Sequence, residues 1–567
     1  MALIGIDLGT TNSLVGVWHK DAVKLIPNAH GEILTPSVIS IDEHNNVIIG
    51  KAAKDRLIKH PDNTVSAFKR RMGTQASCTL GKQKFRPEEL SALVLKQLKY
   101  DAESFLGETI SEAVISVPAY FNDMQRNATK RSAELIGLKV ERLINEPTAA
   151  AIAYGLHDRA DDCHYLILDL GGGTFDVSVL EFFEGVMEVH ASAGDNFLGG
   201  EDFTTLLCKA CFEACGINEK KLSSRDNELI RKTIEQAKKD LGSKSEVNIA
   251  ANLSKSKLEW KLTKGDFESI VEPLLQKLKH PIERALRDAK LKPSDLDEVI
   301  LVGGATRMPV IRSLVSKIIR RIPVSTINPD EVVCHGAVIQ SALLEKHEAL
   351  KDVVLTDVSP YTMGIEIASS RNNGNYEAGH FMPIIERNSV VPISRVDRVN
   401  TVQNGQMELS VEVFQGESRL VKNNIFLGRL NVKVPKNKAG EECVDIRFTY
   451  DANGILEVIT KVVSTGDEQN LLIENSAVHM SKEQIRESFK KLSSIKLHPR
   501  EEAQNLALFS RAERLYEEAL GESRNYIAHI IGQFENALDT QDHDVANQAR
   551  KDLDKVLDEI EGEGVLS

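Results

Sequence analysis

A glycine- and threonine-rich turn that follows an alternating apolar strand occurs twice, 162 positions apart, in the first third of the chain. The first copy spans Ile4–Ser13 (IGIDLGTTNS) and the second spans Leu168–Asp176 (LDLGGGTFD). In both copies an Asp-Leu-Gly sequence leads into the turn, and alternating apolar residues resume after it. This pattern predicts two β-hairpins, and the shared lead-in makes coincidence a poor explanation.

The two turns have the chemistry of a phosphate site. A glycine turn lets backbone N–H groups approach phosphate oxygens closely, and threonine hydroxyls add further donors. Asp7 and Asp169, at the ends of the incoming strands, are placed to hold a hydrated Mg²⁺ ion beside those phosphates. For one copy alone, an ordinary glycine-rich hairpin turn is the simpler interpretation. Two copies favour a shared phosphate site.

The duplication extends beyond the hairpins. Short buried strands are predicted at Ala113–Val117 and Val299–Val302. Asn145-Glu146-Pro147 and Asn328-Pro329-Asp330 each place a capping side chain before a proline suited to the first turn of a helix. The helices predicted after them span 149–154 and 332–344. Two α/β halves, each with its own phosphate hairpin, imply a nucleotide held in the cleft between them.

Length and charge limit the class of protein. The 567 residues, 42% hydrophobic and 27% charged, predict about three or four soluble domains. A net charge of −13 argues against nucleic acid as a partner, because that partner needs basic patches. No segment reaches the ~18 apolar residues of a membrane helix, no signal peptide is visible, and seven cysteines are few. We therefore expect a cytoplasmic protein with no membrane partner.

The pattern changes after Leu344. Apolar residues alternate with polar ones in 407–413, 430–434 and 444–450, which predicts an antiparallel β-sandwich. Nothing in this block has catalytic spacing, so it is interpreted as a binding module. From Ser481 the apolar residues recur at helical spacing instead. The chain therefore predicts an α/β region, an all-β region and a helical region, in that order.

Five separated motifs in this sequence resemble those of the DnaK-type heat-shock chaperones, which have the actin/hexokinase fold. The motifs are Ile4–Ser13, Val117–Thr129, Asn145–Leu156, Leu168–Val179 and Leu301–Pro309. The short segment between Gly73 and Pro87 is most similar to the HscC-like branch. The resemblance implies a two-lobed nucleotide-binding domain (1–345), an interdomain linker (346–357), a β-sandwich peptide-binding domain (358–480) and a helical lid (481–567).

The resemblance also implies an ATPase that uses ATP/ADP with Mg²⁺ and K⁺. Lys69 matches the lysine that contacts the γ-phosphate and the attacking water, and Glu146 matches the carboxylate that orients water around the metal. By pattern alone, Lys69 lies in a basic run typical of a solvated face. Asp7 and Asp169 match the metal-facing carboxylates, largely through water, and Thr174 completes the catalytic set. The matching ATP-binding positions are Thr10, Thr11, Asn12, Gly171, Gly172, Gly173, Gly200, Glu235, Lys238, Lys239, Gly242, Gly303, Gly304, Arg307 and Asp330.

Further matches concern communication between the domains and the binding of partners. The positions implied in interdomain communication or in the docking of a J-domain co-chaperone are Pro118, Arg126, Arg142, Asn145, Val354, Leu355 and Asp357. Thr356 occupies a position that is usually leucine in the family, which predicts weak coupling. The positions implied in the groove for extended apolar peptide are Ile365, Ile367, Ala368, Val399, Val402, Leu409 and Val411.

The activity implied is an ATP-driven chaperone that binds unfolded polypeptides, with hydrolysis closing the peptide clamp and nucleotide exchange reopening it. A J-domain co-chaperone, a nucleotide exchange factor and a monomeric state go with that activity. Two alternatives share the actin-like fold: a small-molecule kinase and an actin-like filament protein. The β-sandwich and the lid count against both, because neither activity needs a peptide clamp.

Overall fold

The computed structural model describes residues 2–43, 46–155, 163–183, 186–254, 256–347, 354–370, 376–451, 454, 456–472, 508, 511–512, 515–516, 522–539 and 543–563. Within these ranges the chain forms a two-lobed α/β unit, a strand that follows it, a β-sandwich and a helical region.

The first lobe is built on a sheet of order β11-β10-β1-β2-β3, with β4 paired to β2. Its elements are β1 (Ile4–Asp7), β2 (Asn12–His19), β3 (Ala22–Leu25), β4 (Thr35–Pro36), β5 (Val38–Ile41), β6 (Val47–Ile49), α1 (Lys51–Lys59), β7 (Thr64–Ser66), β8 (Cys78–Leu80), β9 (Gln83–Phe85), α2 (Pro87–Leu106), β10 (Glu112–Val117), α3 (Asp123–Glu134), β11 (Lys139–Asn145) and α4 (Glu146–Ala153). Its core lies between the sheet and α2, whose inward face is fully buried.

The second lobe carries the second sheet. Its elements are β12 (Cys163–Leu170), β13 (Phe175–Phe183), β14 (Val186–Asp195), α5 (Gly200–Ala214), α6 (Ser224–Asp240), β15 (Glu246–Asn252), β16 (Lys257–Thr263), α7 (Lys264–Asp288), β17 (Glu298–Val302), α8 (Pro309–Ile319) and α9 (Val332–Leu344). Helices α5 to α8 cover one face of this sheet and contribute to the largest buried apolar cluster of the described chain.

The two sheets repeat one plan, as the duplication predicts. In the first, β1 pairs parallel with β10 and antiparallel with β2; in the second, β12 pairs parallel with β17 and antiparallel with β13. Both predicted hairpins are therefore confirmed. Helices α4 and α9 cross between the sheets, and a Cβ added at Gly336 would lie 1.8 Å from the Ala149 carbonyl oxygen. Only glycine permits that approach.

A further strand, β18 (Val354–Val358), extends the second sheet. It runs parallel to β14, with Val354 opposite Val186 and Thr356 opposite Glu188. On its other side it pairs with β21 (Val390–Val391), which is the first contact with the sandwich region. Residues 348–353 of the predicted linker lie outside the described residues. The described part of the linker is thus a strand shared between two regions of the chain.

The region after β18 is an antiparallel β-sandwich, as predicted. Its sheets have the orders β20-β19-β23-β24 and β22-β25-β26-β27. The strands are β19 (Met363–Ser370), β20 (Tyr376–Ile385), β22 (Ile393–Asn400), β23 (Glu408–Gln415), β24 (Ile425–Lys433), β25 (Cys443–Tyr450), β26 (Leu456–Val462) and β27 (Glu468–Leu472). Alternate residues such as Val413, Ile446 and Phe448 are fully buried between the sheets.

Two helices, α10 (Glu522–Asp539) and α11 (His543–Glu563), form the described part of the C-terminal region. Ile527, Phe534 and Leu557 pack with Leu508 and Leu515 in one apolar cluster. The predicted segment 481–507 lies outside the described residues. The predicted class, a multi-domain α/β, all-β and helical protein, is confirmed. Over the part of the chain that is described, no helix has the length and apolar character needed to span a membrane.

Candidate active site

A cavity of about 90 Å³ lies between the two lobes at the turns of both hairpins. It is reached by the carboxyl ends of β1 and β12, by the turn Phe68–Arg71 and by the glycines that follow β17. The predicted residues that line it are Asp7, Thr10, Thr11, Asn12, Lys69, Glu146, Asp169, Gly171, Gly172, Thr174, Gly303, Gly304 and Asp330. The fold thus gathers these residues from six separate sequence segments around one space.

The two glycine turns touch each other across the cleft. A Cβ added at Gly172 would lie 1.9 Å from the Thr11 Oγ1 atom. A Cβ added at Gly199, which precedes α5, would lie 2.4 Å from the backbone nitrogen of Gly173. Gly200 continues this contact, because its N–H donates to the Gly171 carbonyl at 2.9 Å. Gly172 is therefore required for the two turns to meet, and Gly199 for the start of α5 to lie against the second turn.

Lys69 and Glu146 form a buried ion pair in this cavity. The Lys69 Nζ atom donates to Glu146 Oε1 at 3.0 Å, and the Lys69 residue is only 3% exposed. The ammonium also lies 5.5 Å from the centre of the Phe121 ring. The interpretation of the basic run at Lys69 as a solvated face is therefore wrong for this residue. A paired, buried lysine is held in one place instead of sampling solvent.

Asp7 and Asp169 line the same cavity and interact electrostatically with that ion pair. Burial raises the pKa of Asp7 to about 7, with a further contribution from Glu146, and Ser116 Oγ donates to its Oδ1 atom at 2.7 Å. Burial also raises the pKa of Asp169 well above its usual value. Three carboxylates facing one lysine leave an excess of negative charge that a divalent cation would neutralise. Among the described residues no group of three or more His, Cys, Asp or Glu side chains is placed to bind a metal ion directly.

The remaining predicted ATP-binding residues lie on elements beside the cavity. Lys238 Nζ donates to the Gly200 carbonyl and to Thr204 Oγ1, both at 2.9 Å, and pairs with Glu235 at 2.6 Å. Arg307 Nη2 pairs with Asp330 at 2.8 Å. Lys239 and Gly242, at the end of α6, are exposed. The predicted residues that do not line the cavity are Gly173, Gly200, Glu235, Lys238, Lys239, Gly242 and Arg307.

A chain of hydrogen bonds leads from Arg126 on α3, through Asn145, to the linker strand. Arg126 Nη2 donates to Asn145 Oδ1 at 2.6 Å, and Asn145 Nδ2 donates to Asp357 Oδ2 at 2.5 Å. Thr148 Oγ1 donates to the same Asp357 oxygen at 3.2 Å. Asn145 precedes Glu146 at the start of α4, but its side chain makes no capping hydrogen bond. The capping role predicted for Asn145 is therefore wrong, because its side chain is used to hold the linker.

The second capping prediction is only partly right. Asn328 Oδ1 accepts from the Asp330 N–H at 3.2 Å, but α9 begins at Val332 with Glu331 as its N-cap. Pro329 therefore lies before the helix and not in its first turn. The helix itself has the predicted bounds.

The sandwich docks directly on the first lobe and on α7. Tyr450 OH donates to Asp123 Oδ1 at 3.0 Å, and Tyr361 OH donates to the Tyr120 carbonyl at 3.0 Å. Arg387 makes two hydrogen bonds to Asp288, at 2.9 and 3.1 Å. None of these residues was singled out from the sequence. Each pair joins positions about 100 or more apart, and single polar residues at such separations give no local signal.

Thr356 carries an unsatisfied polar atom in the docked linker. Its Oγ1 atom is buried and has no hydrogen-bond partner among the described residues. It borders a small interdomain cavity whose walls also include Arg142, Asn145 and Asp357. Arg142 is partly buried there; burial lowers its pKa, and the attraction of Asp357 opposes that effect. A buried hydroxyl without a partner disfavours docking, in the direction that the sequence predicts for this position.

The residues predicted for the peptide groove divide into two groups. Ile365 and Val411 are buried in the sandwich core, 2% and 3% exposed. The others are partly exposed: Ile367, Ala368, Val399, Val402 and Leu409. Val399 lies on β22 and Val402 on the turn that follows that strand. Only the second group offers side-chain surface to a ligand in this arrangement.

The buried Asp123 carboxylate makes docking depend on pH. Burial raises its pKa to about 7, and its Oδ2 atom has no partner among the described residues. When the sandwich leaves, Asp123 regains water and an ordinary pKa of 3.8. The docked state therefore holds a proton that the undocked state releases. Docking is favoured at low pH and weakens as pH rises through about 7. The equilibrium constant for docking should fall by about tenfold between pH 6 and pH 8.

Fluorescence energy transfer between labels on the two-lobed α/β region and on the sandwich measures that change in docking. Asp123→Asn is the matched variant, because the amide imitates the protonated acid and still accepts from Tyr450. It retains the titrating carboxylates of the cavity, so the difference between the two proteins isolates Asp123. An equal pH response in both proteins would contradict the assignment.

Comparisons with known proteins agree with this architecture. The family model described as "Hsp70 protein" matches residues 3–81 and 74–565. The chain is 42% identical over 486 residues to "Chaperone protein DnaK" of Thermosipho melanesiensis, covering 83% of this chain and 80% of that protein. The protein of the same name from Thermotoga maritima is 41% identical with the same coverage. That of Thermosipho africanus is 37% identical over 566 residues, covering 97% and 91%.

Proposed function

Because the chain belongs to the Hsp70 family, we propose that it is an ATP-dependent molecular chaperone whose nucleotide cleft controls a peptide clamp in the sandwich. The observation that carries this function is the shared strand: β18 is part of the nucleotide-binding sheet and also pairs with the sandwich strand β21. A small-molecule kinase or a filament protein has no use for such a connection. The chaperone activity is therefore favoured over both alternatives.

The family relationship gives the use of a nucleotide and a divalent metal, and we propose ATP/ADP with Mg²⁺. Asp7 and Asp169 are the residues that would hold the hydrated ion, which supplies charge neutralisation at the phosphates when it is bound. The two glycine turns donate backbone N–H groups to the phosphates, and Lys69 places a positive charge where the transition state gains negative charge. Glu146 would orient water around that ion. K⁺ is proposed from the family resemblance alone.

The remaining predictions stand as parts of the same proposal. The domains are 1–345, 346–357, 358–480 and 481–567, a division supported by the end of α9 at Leu344 and the start of β19 at Met363. The clients are unfolded polypeptides, bound as extended apolar segments in the sandwich. A cytoplasmic location is supported by seven free cysteine thiols. The monomeric state and an exchange factor rest on the resemblance.

ATP turnover with and without a reduced, unfolded protein tests the function. We expect the unfolded polypeptide to raise the rate of phosphate release, and its folded form to leave that rate unchanged. Mass spectrometry of the reaction should detect ADP and phosphate with no phosphorylated small molecule. The proposal would be contradicted by an ATP turnover rate that does not change when unfolded polypeptide is added, or by polymerisation of the chain with ATP.

Arg142 is the proposed contact for a J-domain co-chaperone. We expect Arg142→Ala to abolish stimulation of turnover by that co-chaperone and to leave basal turnover unchanged. Arg142 borders the interdomain cavity and faces Asp357, so its guanidinium is available beside the docked linker. Arg142→Lys keeps the charge but not the planar donors, and it should restore only part of the stimulation. Full stimulation of Arg142→Ala would place the docking surface elsewhere.

Thr356 should set the strength of interdomain coupling. We expect Thr356→Leu to raise the ratio of docked to undocked linker by about 5- to 30-fold. Both the stimulation of turnover by peptide and the release of peptide on ATP addition should increase as a result. The change removes the unsatisfied hydroxyl and adds apolar area that is buried only in the docked state. Fluorescence anisotropy of a labelled apolar peptide measures the release.

Thr356→Val separates the two contributions to that effect. Valine has the shape of threonine without the hydroxyl, so it removes only the unsatisfied group. An increase with valine that is smaller than the increase with leucine is the expected order. If neither variant changes coupling, the Thr356 hydroxyl is already accommodated and the explanation is wrong.

A further inference from the structure

Arg70 connects the two lobes outside the phosphate turns. It lies in the turn Phe68–Arg71 of the first lobe, directly after Lys69. Its Nη2 atom donates to the Phe197 carbonyl at 2.7 Å and to both carboxylate oxygens of Asp202 at 3.0 Å. Phe197 and Asp202 belong to the second lobe, on either side of the start of α5. One guanidinium therefore bridges the cleft.

The stem of the same side chain lies over the second glycine turn. A Cβ added at Gly173 would be 2.8 Å from Arg70 Cγ and 2.9 Å from its Cδ. The side chains of Arg70 and Asp202 are only 20% and 26% exposed. A charge-assisted contact that is shielded to this extent is screened less by salt than an open surface pair. The Arg70 side chain thus passes across the turn that is proposed to hold phosphate and forms its hydrogen bonds to Asp202 and Phe197 on the far side of that turn.

Both ends of this bridge are held in position. Asp202 Oδ2 also accepts from the Gly199 N–H at 2.8 Å, which fixes the carboxylate at the first turn of α5. On the other side, the turn that carries Arg70 starts from Ala67, whose φ of 53° is in the left-handed region. An alanine in that conformation is strained and has to be retained by its surroundings. The bridge therefore joins the turn that carries Arg70 to the start of α5, and each of these elements is held in place by its own lobe.

We propose that the Arg70 contact with Asp202 and Phe197 is a latch that closes the lobes over the bound nucleotide and positions Lys69 against it. The lobes cannot separate at this end of the cleft until the three hydrogen bonds of Arg70 break. Nucleotide release then requires the opening of the latch. Because Arg70 follows Lys69 in one short turn, an open latch also leaves the Lys69 ammonium less well fixed. Arg70 is a positioning residue and not a catalytic one.

The rate of release of a fluorescent ADP analogue, measured by stopped flow on the full chain with excess unlabelled ADP, tests the latch. We expect Arg70→Ala to speed release by about 10- to 100-fold, the range of a lost hydrogen-bonded ion pair. Asp202→Asn should speed it less, since the amide oxygen still accepts. The double variant should release no faster than Arg70→Ala. Arg70→Lys should restore the rate only in part, because one ammonium cannot reproduce the planar contact.

Arg71→Ala is the matched control, because Arg71 is the next residue of the same turn and its guanidinium contacts Cys78 within the first lobe. Its release rate should stay within about twofold of the parent. In Arg70→Ala, the rate of single-turnover hydrolysis at saturating ATP should fall by a smaller factor than the affinity for nucleotide. A release rate of Arg70→Ala within twofold of the parent, or additive effects of the Arg70 and Asp202 variants, would overturn the proposal.

Discussion

Lys69→Ala should lower the rate of single-turnover ATP hydrolysis by about 10²- to 10³-fold while nucleotide affinity changes by only a few-fold. Lys69 is buried and fixed by Glu146 at 3.0 Å, so its charge is already in place before the transition state forms. Removing it leaves Glu146, Asp7 and Asp169 without their cation. The remaining carboxylates attract the metal more strongly and repel the phosphates more strongly, and these effects on binding oppose each other.

Lys69→Met is the control that separates charge from packing. Methionine retains an apolar stem against Phe121, whereas alanine also leaves a void. Equal losses in both variants would assign the effect to the ammonium. Thermal unfolding should be measured alongside, because a buried carboxylate that has lost its partner destabilises the fold. Near-normal single-turnover hydrolysis in a folded Lys69→Met variant would remove Lys69 from the proposed mechanism.

Asp357→Asn should shift the linker from docked to undocked by about 10- to 100-fold, with basal hydrolysis retained. Asp357 Oδ2 accepts from both Asn145 and Thr148, while Oδ1 accepts from the Val358 N–H at 2.8 Å. All the partners of this carboxylate among the described residues are therefore donors. An asparagine side chain replaces one of its two acceptors with an NH₂ group, which faces a donor whichever way it turns.

The rate of proteolytic cleavage near the linker in saturating ATP measures that shift. Cleavage of Asp357→Asn should be faster than that of the parent protein, and stimulation by peptide and by a J-domain protein should be lost. Asn145→Asp is a useful second variant, because it places two carboxylates together and should undock the linker through repulsion. Slow cleavage and full stimulation in both variants would show that the Asn145–Asp357 contact does not hold the linker.

The features predicted best from the sequence are those whose signal is local. The alternating strands before Asp7 and Asp169, and the glycines after them, specify their own hairpins. Lys69 is different, because a lysine in a basic run becomes buried only when Glu146, 77 positions away, folds next to it. Asn145 has a capping pattern, yet its side chain is used by Asp357 from a distant segment. In both cases the burial and the hydrogen bonds of the side chain are determined by residues that are distant in sequence, and local sequence patterns carry no information about those partners.

Arg70 illustrates the same limit at the cleft. Its sequence neighbours give no reason to distinguish it from Arg71, and only the position of α5 in the second lobe does so. The docking contacts of Asp123 and Asp288 likewise depend on how two separately folded regions meet. Their partners, Tyr450 and Arg387, come from the sandwich. Polar residues that match neither a core nor a turn pattern are the ones whose roles appear only in three dimensions.

The linker strand also decides which backbone groups of this protein face water. While β18 is in place, the outer edge of β14 is hydrogen-bonded within the same molecule. Departure of β18 turns β14 into a bare sheet edge and frees the apolar linker at the same moment. Unprotected strand edges are sites where other chains add. Docking therefore protects the chaperone from self-association. Each time the linker undocks, the chaperone itself is exposed to the aggregation from which it protects its clients.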